Sequence, residues 1–407
     1  MSPQSVVIVG AGQAGGRTAQ ALRQQGYAGT IALLGDESMP PYERPPLSKD
    51  VLLGNADASS LLLLPEAGWR DLDVALHCSA RVVEIDRSAR RIRLADDTFM
   101  AFDRLVLATG VRPRVFPGRV EVGTELLYLR TIADAARLQP RLTKGKRIGI
   151  VGAGFIGLEL ASTARALGAE VTLIEAAARP LARLLPEAFA LEQLARHSAR
   201  GVAVLLGQAV ERLAPGQIHL ASGRVIEVDT IVIGIGARAN DELAAAAGLA
   251  VRDGILVDVA GRTCDRDIYA VGDVARIVDA DTGRDDRLES WRHAENSAQA
   301  VAASILELPV QPTPTPWFWS DQYGRNIQIA GRPDDSHRCV RKGDDHDGPQ
   351  LTYYLDESQR LRGAIGVDCA REVRRAMKLI EAESPINVDD LPGPRAKAAV
   401  KVEVTVS

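Results

Sequence analysis

Two stretches of this chain carry the same glycine spacing, VVIVGAGQAGGRTAQAL at 6–22 and VGAGFIGLELASTARALG at 151–168. In the first, a β-branched run suited to a parallel strand buried on both faces leads into Gly10-Ala11-Gly12-Gln13-Ala14-Gly15, and helical spacing follows to about Gln25. Gly10 allows the tight strand-to-helix turn, and Gly12 lets the backbone approach a pyrophosphate. Gly15, beside Ala14, lets helix pack on strand, and the phosphate charge meets the helix N-terminus. The next strand, TIALLGDE, ends in Asp36 and Glu37, acids suited to an adenosine ribose. The second copy repeats these parts with RIGIV as strand, then Gly152, Gly154, Ile156 and Gly157, a helix to about Leu167, and EVTLIE ending in Glu175. A lone motif of this kind is weak evidence. Two, each flanked by a strand, a helix and a terminal acid, predict an α/β chain with two Rossmann-like dinucleotide-binding domains.

Working outward, residues 79–107 and 202–236 each read as antiparallel hairpin material that returns to the sheet with an apolar strand and a glycine, so each domain carries an inserted β-meander. PVQPTPTP at 309–316 cannot sit within a helix or central strand and reads as a linker. Beyond it, strand-like runs and one amphipathic helix from about Ala370 to Glu383 predict a C-terminal α+β domain over 316–407, with 395–407 a loosely held tail. The expected domains are 1–110 and 237–315 for the first nucleotide, 111–236 for the second, and 316–407.

Bulk composition removes several function classes. The 407 residues carry a formal net charge of -4, which gives no general attraction to nucleic acid or to an anionic membrane. No apolar run is long enough to cross a bilayer and no leader precedes the first strand, so a cytoplasmic protein is expected. Cys78, Cys264, Cys339 and Cys369 form no close pair, and the histidines have no metal-ligand spacing; no metal is expected.

The two fingerprints, together with PPYERPPLSKDVL at 40–52, LVLATGVRPR at 105–114, LYLRTIADA at 127–135, IVIGIGARAND at 231–241, TCDRDIYAVGDVA at 263–275, LESWRHAEN at 288–296 and PWFWSDQYG at 316–324, resemble the FAD- and NAD(P)H-dependent pyridine nucleotide-disulfide oxidoreductases. Within that superfamily the chain most resembles the ferredoxin reductases of bacterial oxygenase systems, and the resemblance covers nearly its whole length. It implies a glutathione-reductase-like fold. It also implies FAD on the first fingerprint, held by Asp36 or Glu37, Arg44, Lys49, Val82, Ala108, Thr109, Gly110, Arg130, Asp273, Val274 and Trp291. NADH is implied on the second, with Glu159 near the nicotinamide and Gly236, Glu175 and Arg183 completing the site. Glu175 followed by three alanines favours NADH, because a carboxylate repels a 2′-phosphate and no cation stands directly beside it. Arg179 and Arg183 are the nearest cations in sequence.

Disulfide reductases of this superfamily pass electrons to a cysteine pair close behind the first fingerprint. The equivalent segment here, GDESMPPYERPPLSKD, has no cysteine. Electrons must then leave singly from the flavin, which fits a 2Fe–2S ferredoxin as partner for a monomeric or homodimeric ferredoxin–NAD(+) reductase. The resemblance assigns Lys49, Glu159, Trp291 and Trp319 to the reacting region. An NADH oxidase and a signalling flavoprotein resembling apoptosis-inducing factor are the alternatives. Arg112, Arg114, Arg292 and Arg325 are candidates for a basic docking face; His293, where the family has asparagine, would make the site pH-dependent if it titrated near neutral pH, but such a histidine is more often a satisfied polar packer.

Overall fold

The computed structural model describes residues 3–181, 185–279, 283–312, 314–343 and 348–394; Arg183 and the stretch 395–407 lie outside them. The chain divides into two compact units, 1–180 with 194–314, and 181–193 with 315–407.

The first unit is built around two five-stranded parallel sheets of like design. One has the strand order Ile268–Ala270, Arg104–Leu107, Ser5–Val9, Thr30–Leu34, Val74–His77. Its central strand, SVVIV, is buried on both faces. Val6 and Ile8 pack with Ala19 and Leu22 of the first glycine helix (Gln13–Gln24) and with Ala298 and Val301 of the helix Trp291–Ile305. Val7 and Val9 pack on the other side with Ile85, Ile92 and Leu94 of the meander Val82–Asp86, Arg91–Leu94, Phe99–Ala101. Such two-sided burial explains the unbroken β-branched run, and each large aliphatic so buried contributes about 2 kcal/mol.

The other sheet runs Leu126–Leu127, Thr230–Ile233, Arg147–Val151, Glu170–Ile174, Val202–Leu205, again all parallel. Its meander, Val210–Ala214, Gln217–Leu220 and Val225–Glu227, packs Leu213, Ile218 and Ile226 against Val151, Ile231 and Ile233. In both sheets the first glycine strand lies third and feeds a helix of twelve residues, Gln13–Gln24 or Phe155–Ala166. The repeat seen in sequence is therefore a repeat of structure.

The second unit holds a five-stranded antiparallel sheet, Trp317–Gln322, Arg325–Gly331, Leu361–Val367, Gln350–Leu355, Arg338–Gly343. The helix Ala370–Ala382 covers one face, burying Val373 and Ala376 against Ala330, Leu351 and Tyr353. The expected α+β domain is present. Residues 181–193 belong to this unit: Glu187 N–H donates to Asp335 Oδ1 at 2.8 Å, and Arg341 pairs with Glu192 at 3.2 Å.

Candidate functional site

Each glycine fingerprint forms a backbone cradle that a side chain would close. Gly10 has φ +113°, and a Cβ there would stand 2.2 Å from the Ala108 carbonyl oxygen; Gly152 has φ +109°, with the Gly234 oxygen at 2.3 Å. These clashes are with backbone, which cannot move aside cheaply. Gly15 and Gly157 press on the carbonyls of Gly10 and Gly152 in the same way, at 1.9 and 2.1 Å. Gly12 and Gly154 differ, since they cap their helices and a Cβ would meet at most the tip of Arg44, at 3.9 Å from Gly12, and nothing within 4 Å at Gly154. Open space beside a helix N-terminus fits a pyrophosphate at both turns.

Around the first cradle, the loop 40–49 delivers cations. Arg44 donates to Glu37 at 2.6 Å, to the Tyr42 hydroxyl at 3.0 Å and to the Arg130 carbonyl at 2.7 Å, which fixes its guanidinium beside Gly12. Tyr42 in turn donates to Glu37 at 2.5 Å and accepts from Ile132 N–H. Burial, reinforced by the Glu37 carboxylate, pushes the Tyr42 phenol far above its ordinary range, so it stays a donor. Glu37 is thus tied to the loop while Asp36 is exposed and open to a ligand hydroxyl. Arg130 pairs with Asp273 at 3.1 Å, and its guanidinium lies 3.7 Å from where a Gly110 Cβ would stand. Asp273 and the buried Val274 sit in the short 3-10 turn Gly272–Val274, where Gly272 packs on Ala14. Thr109 and Asn240 exchange hydrogen bonds of 2.7 and 2.8 Å, locking Ala108-Thr109-Gly110 in place. Val82 opens the first meander strand.

The loop also reaches the second fingerprint. Lys49 Nζ lies 3.2 Å from Glu159 Oε1, the Ser48 hydroxyl donates to Glu159 Oε2 at 2.5 Å, and the Thr163 hydroxyl donates to the Ser48 carbonyl at 2.7 Å. Glu159 and Thr163 are on the glycine helix Phe155–Ala166, and Glu159 is buried. A buried carboxylate clamped by an ammonium and a hydroxyl gives the chain a fixed charge pair between its two nucleotide cradles.

At the second cradle, Glu175 accepts from Ala153 N–H at 2.8 Å and Ala177 N–H at 2.9 Å, which leaves lone pairs on both oxygens for ribose hydroxyls. Ile156 is exposed on the first helical turn, and Gly236, at φ +99°, follows the returning strand Thr230–Ile233 and lies beside Arg114. Arg183 lies outside the described residues. Trp291 starts the helix Trp291–Ile305, capped by Ser290, and its indole N–H donates to Gln13 at 2.9 Å with that amide turned to accept. Trp319 is in the second unit, donating to Asp321 at 3.1 Å and stacked on Trp317 at 5.2 Å.

A family model described as pyridine nucleotide-disulphide oxidoreductase matches residues 4–298, and one described as reductase C-terminal matches residues 317–398. The chain belongs to the pyridine nucleotide-disulphide oxidoreductases. It is 41% identical, over 94% of its length and 95% of the relative's, to the ferredoxin–NAD(+) reductase component of the anthranilate 1,2-dioxygenase system of Burkholderia cepacia. Among solved structures it resembles the covalent putidaredoxin reductase–putidaredoxin complex, with a TM-score of 0.90, 32% identity and 96% of each chain covered. The ferredoxin reductase for the CYP199A2 system from Rhodopseudomonas palustris gives a TM-score of 0.91 and 35% identity, with 95% of this chain and 97% of that chain covered. The family implies a flavin and a nicotinamide nucleotide.

The four arginines suggested as a basic face each have partners: Arg112 with Glu242 and Asn240, Arg114 with the Ala237 carbonyl, Arg292 with Glu295, and Arg325, in the second unit, with Asp368 and the Gly348 carbonyl. His293 does not titrate near neutrality, because burial pushes its pKa down to about 4 and the ring is neutral at pH 7. Sequence reasoning missed Tyr42, Ser48, Thr163 and Asn240. Tyr42 and Ser48 lie inside the quoted PPYERPPLSK motif, while only tertiary contact exposes the roles of Thr163 and Asn240.

Proposed function

We propose that this chain is an NADH-dependent, FAD-containing ferredoxin reductase that passes electrons to a 2Fe–2S ferredoxin serving a cytochrome P450 or Rieske oxygenase. The observation that carries the reading is the cysteine-free loop 36–50, in which Lys49 meets Glu159 where a disulfide reductase of the family would place its sulfur pair. FAD would be bound by residues of 1–110 and 237–315, NADH by 111–236, with 316–407 as the C-terminal domain.

A bound flavin supplies the chemistry of accepting two electrons from a nicotinamide and releasing them singly. The chain's own residues do the rest. Gly10, Gly12 and Gly15 present backbone N–H groups to a pyrophosphate, and Arg44, braced by Glu37 and Tyr42, adds a bidentate cation there. Asp36 accepts from a ribose hydroxyl, and Asp273, steered by Arg130, accepts from a ribityl hydroxyl. Lys49 would supply a positive charge to a bound flavin, and Glu159 with Ser48 holds that ammonium in place. Glu175 accepts from the NADH ribose. The test is reduction of cytochrome c by NADH, which should require added 2Fe–2S ferredoxin. Equal rates without ferredoxin, or rapid peroxide or water formation from oxygen alone, would replace the proposal with an oxidase.

A further inference from the structure

At the N-terminal end of the first parallel sheet lies a recess of about 220 Å³ that none of the nucleotide-binding residues lines. Arg87 and Arg90 of the first meander face Asp265, Arg266 and Asp267 across it, and the last three lead into the strand Ile268–Ala270. That strand runs parallel to Arg104–Leu107 and, through it, to Ser5–Val9. Four residues of strand, roughly 13 Å, therefore separate the recess from the glycine turn at the other end.

The hairpin turn 86–90 brings two arginines to this place. Asp86 Oδ1 accepts from Ala89 N–H at 2.9 Å and from the Ser88 hydroxyl at 2.7 Å, and Arg90 closes the turn at φ +49°. Arg87 Nε donates to Asp265 at 2.8 Å, and its Nη1 reaches the Gly248 carbonyl at 3.2 Å. Arg90 Nη2 donates to Asp267 Oδ2 at 2.5 Å, Arg104 pairs with Asp267 Oδ1 at 2.8 Å, and Arg266 stands 3.8 Å from that oxygen. Asp267 is buried, so one carboxylate with little access to water serves three guanidiniums. Burial opposes the charge on Asp265, yet the Arg87 hydrogen bond and the charges of Arg87 and Arg90 hold its carboxyl below the ordinary range. The walls thus carry three guanidiniums against two carboxylates, one of which Arg104 also shares.

The carboxylates leave part of each guanidinium unused. Among the described residues, Arg87 Nη2 and Arg90 Nε and Nη1 donate to no protein atom, and the Arg266 side chain is 88% exposed. Guanidiniums fixed on one edge, with N–H groups left over, are preorganised for the oxygens of an oxyanion. The recess is smaller than the roughly 300–1,000 Å³ of sites that enclose a whole drug-sized molecule, which suits a single charged group. We propose that it is an anion site for a phosphate dianion, free or as the terminal group of a small ester, received by Arg87, Arg90 and Arg266. The dianion offsets the arginine charge that Asp265 and Asp267 leave over. The site is distinct from both glycine turns and does not depend on which nucleotides fill them.

The test is titration calorimetry on the flavin-loaded protein at low ionic strength, where such pairing is least screened, with inorganic phosphate and glycerol 3-phosphate as probes. The expected result is one-to-one binding with a Kd below about 1 mM. Arg266→Glu, at an exposed position, should raise that Kd about tenfold or more, and Arg90→Lys, which keeps a charge beside Asp267 but loses the fork, about fivefold. Both variants should keep wild-type reduction by NADH, which shows that the fold is intact. Glycerol 3-phosphate bound about tenfold tighter than phosphate would identify an ester as the ligand, and comparable affinities would identify free phosphate. No saturable heat up to about 10 mM would overturn the proposal, as would the same affinity in wild type and both variants, which would put the binding at the glycine turns.

Discussion

The two glycine turns of this protein share a backbone and differ in what surrounds it. At the first, the loop 40–49 holds Arg44 beside Gly12 through Glu37, Tyr42 and the Arg130 carbonyl, and Arg130 itself lies beside Gly110. At the second, nothing stands within 4 Å of a Gly154 Cβ, and the acid Glu175 is held by two backbone N–H groups. A pyrophosphate in the first turn therefore meets a preorganised guanidinium as well as a helix dipole, whereas at the described residues of the second it meets the helix N-terminus. Preorganised charge favours a resident group, and its absence favours one that comes and goes. Such an asymmetry is what a flavoprotein needs if one nucleotide stays while the other turns over.

The sharpest way to break this comparison is to close each cradle in turn. Gly15→Ala should yield protein without flavin, since the added methyl meets a backbone oxygen. Gly157→Ala should remain yellow yet raise the KM for NADH by about a hundredfold, because its clash lies in the other cradle. Visible absorbance and stopped-flow reduction distinguish the two. If Gly157→Ala also loses flavin, the turns are not independent.

Next in size is the acid at the second turn. Glu175→Ala removes an acceptor of charged hydrogen bonds, worth about 1.5–3 kcal/mol, and should cut the NADH over NADPH preference in kcat/KM by about ten- to a hundredfold. An unchanged ratio would mean that specificity lies elsewhere. Lys49→Met, which removes the ammonium beside Glu159, should slow reduction by NADH about tenfold while flavin content stays near wild type. Parallel loss of flavin would show that the ion pair serves the fold and not the reaction.

A separate effect concerns stability rather than turnover. The His293 pKa is about 4 in the folded chain against 6.5 unfolded, so the unfolded state binds the proton first as pH falls. Stability from this group is complete above pH 6.5 and declines as pH drops toward 4, by about 3 kcal/mol in all. His293→Asn should flatten that part of the curve, as read by urea unfolding at pH 7 and pH 4.5. A slope identical to wild type would contradict the burial argument.

Much of this was legible in sequence because the decisive features are local. A turn that needs φ near +110° demands glycine, and a strand buried on both faces demands SVVIV or RIGIV, so the sheets, the meanders and the C-terminal α+β unit follow from spacing and composition. What eluded the sequence is long-range. Ser48 and Thr163 stand 115 positions apart and meet only because the loop 40–49 packs on the second glycine helix. Glu37 is engaged by Tyr42 and Arg44, contacts that sequence cannot place against either acid. Arg112 and Arg325 meet their acids, Glu242 and Asp368, only in the tertiary fold, from positions far along the chain.

The central claim is that this protein moves electrons from nicotinamide to an external carrier with no thiol in the path. The direct measurement is ferredoxin-dependent cytochrome c reduction by NADH before and after alkylation of the accessible thiols, Cys264 and Cys339 being exposed. The account predicts the same rate in both samples and uptake of two electrons, not four, in anaerobic titration. Loss of turnover on alkylation, or a further electron pair taken up by the protein, would contradict it.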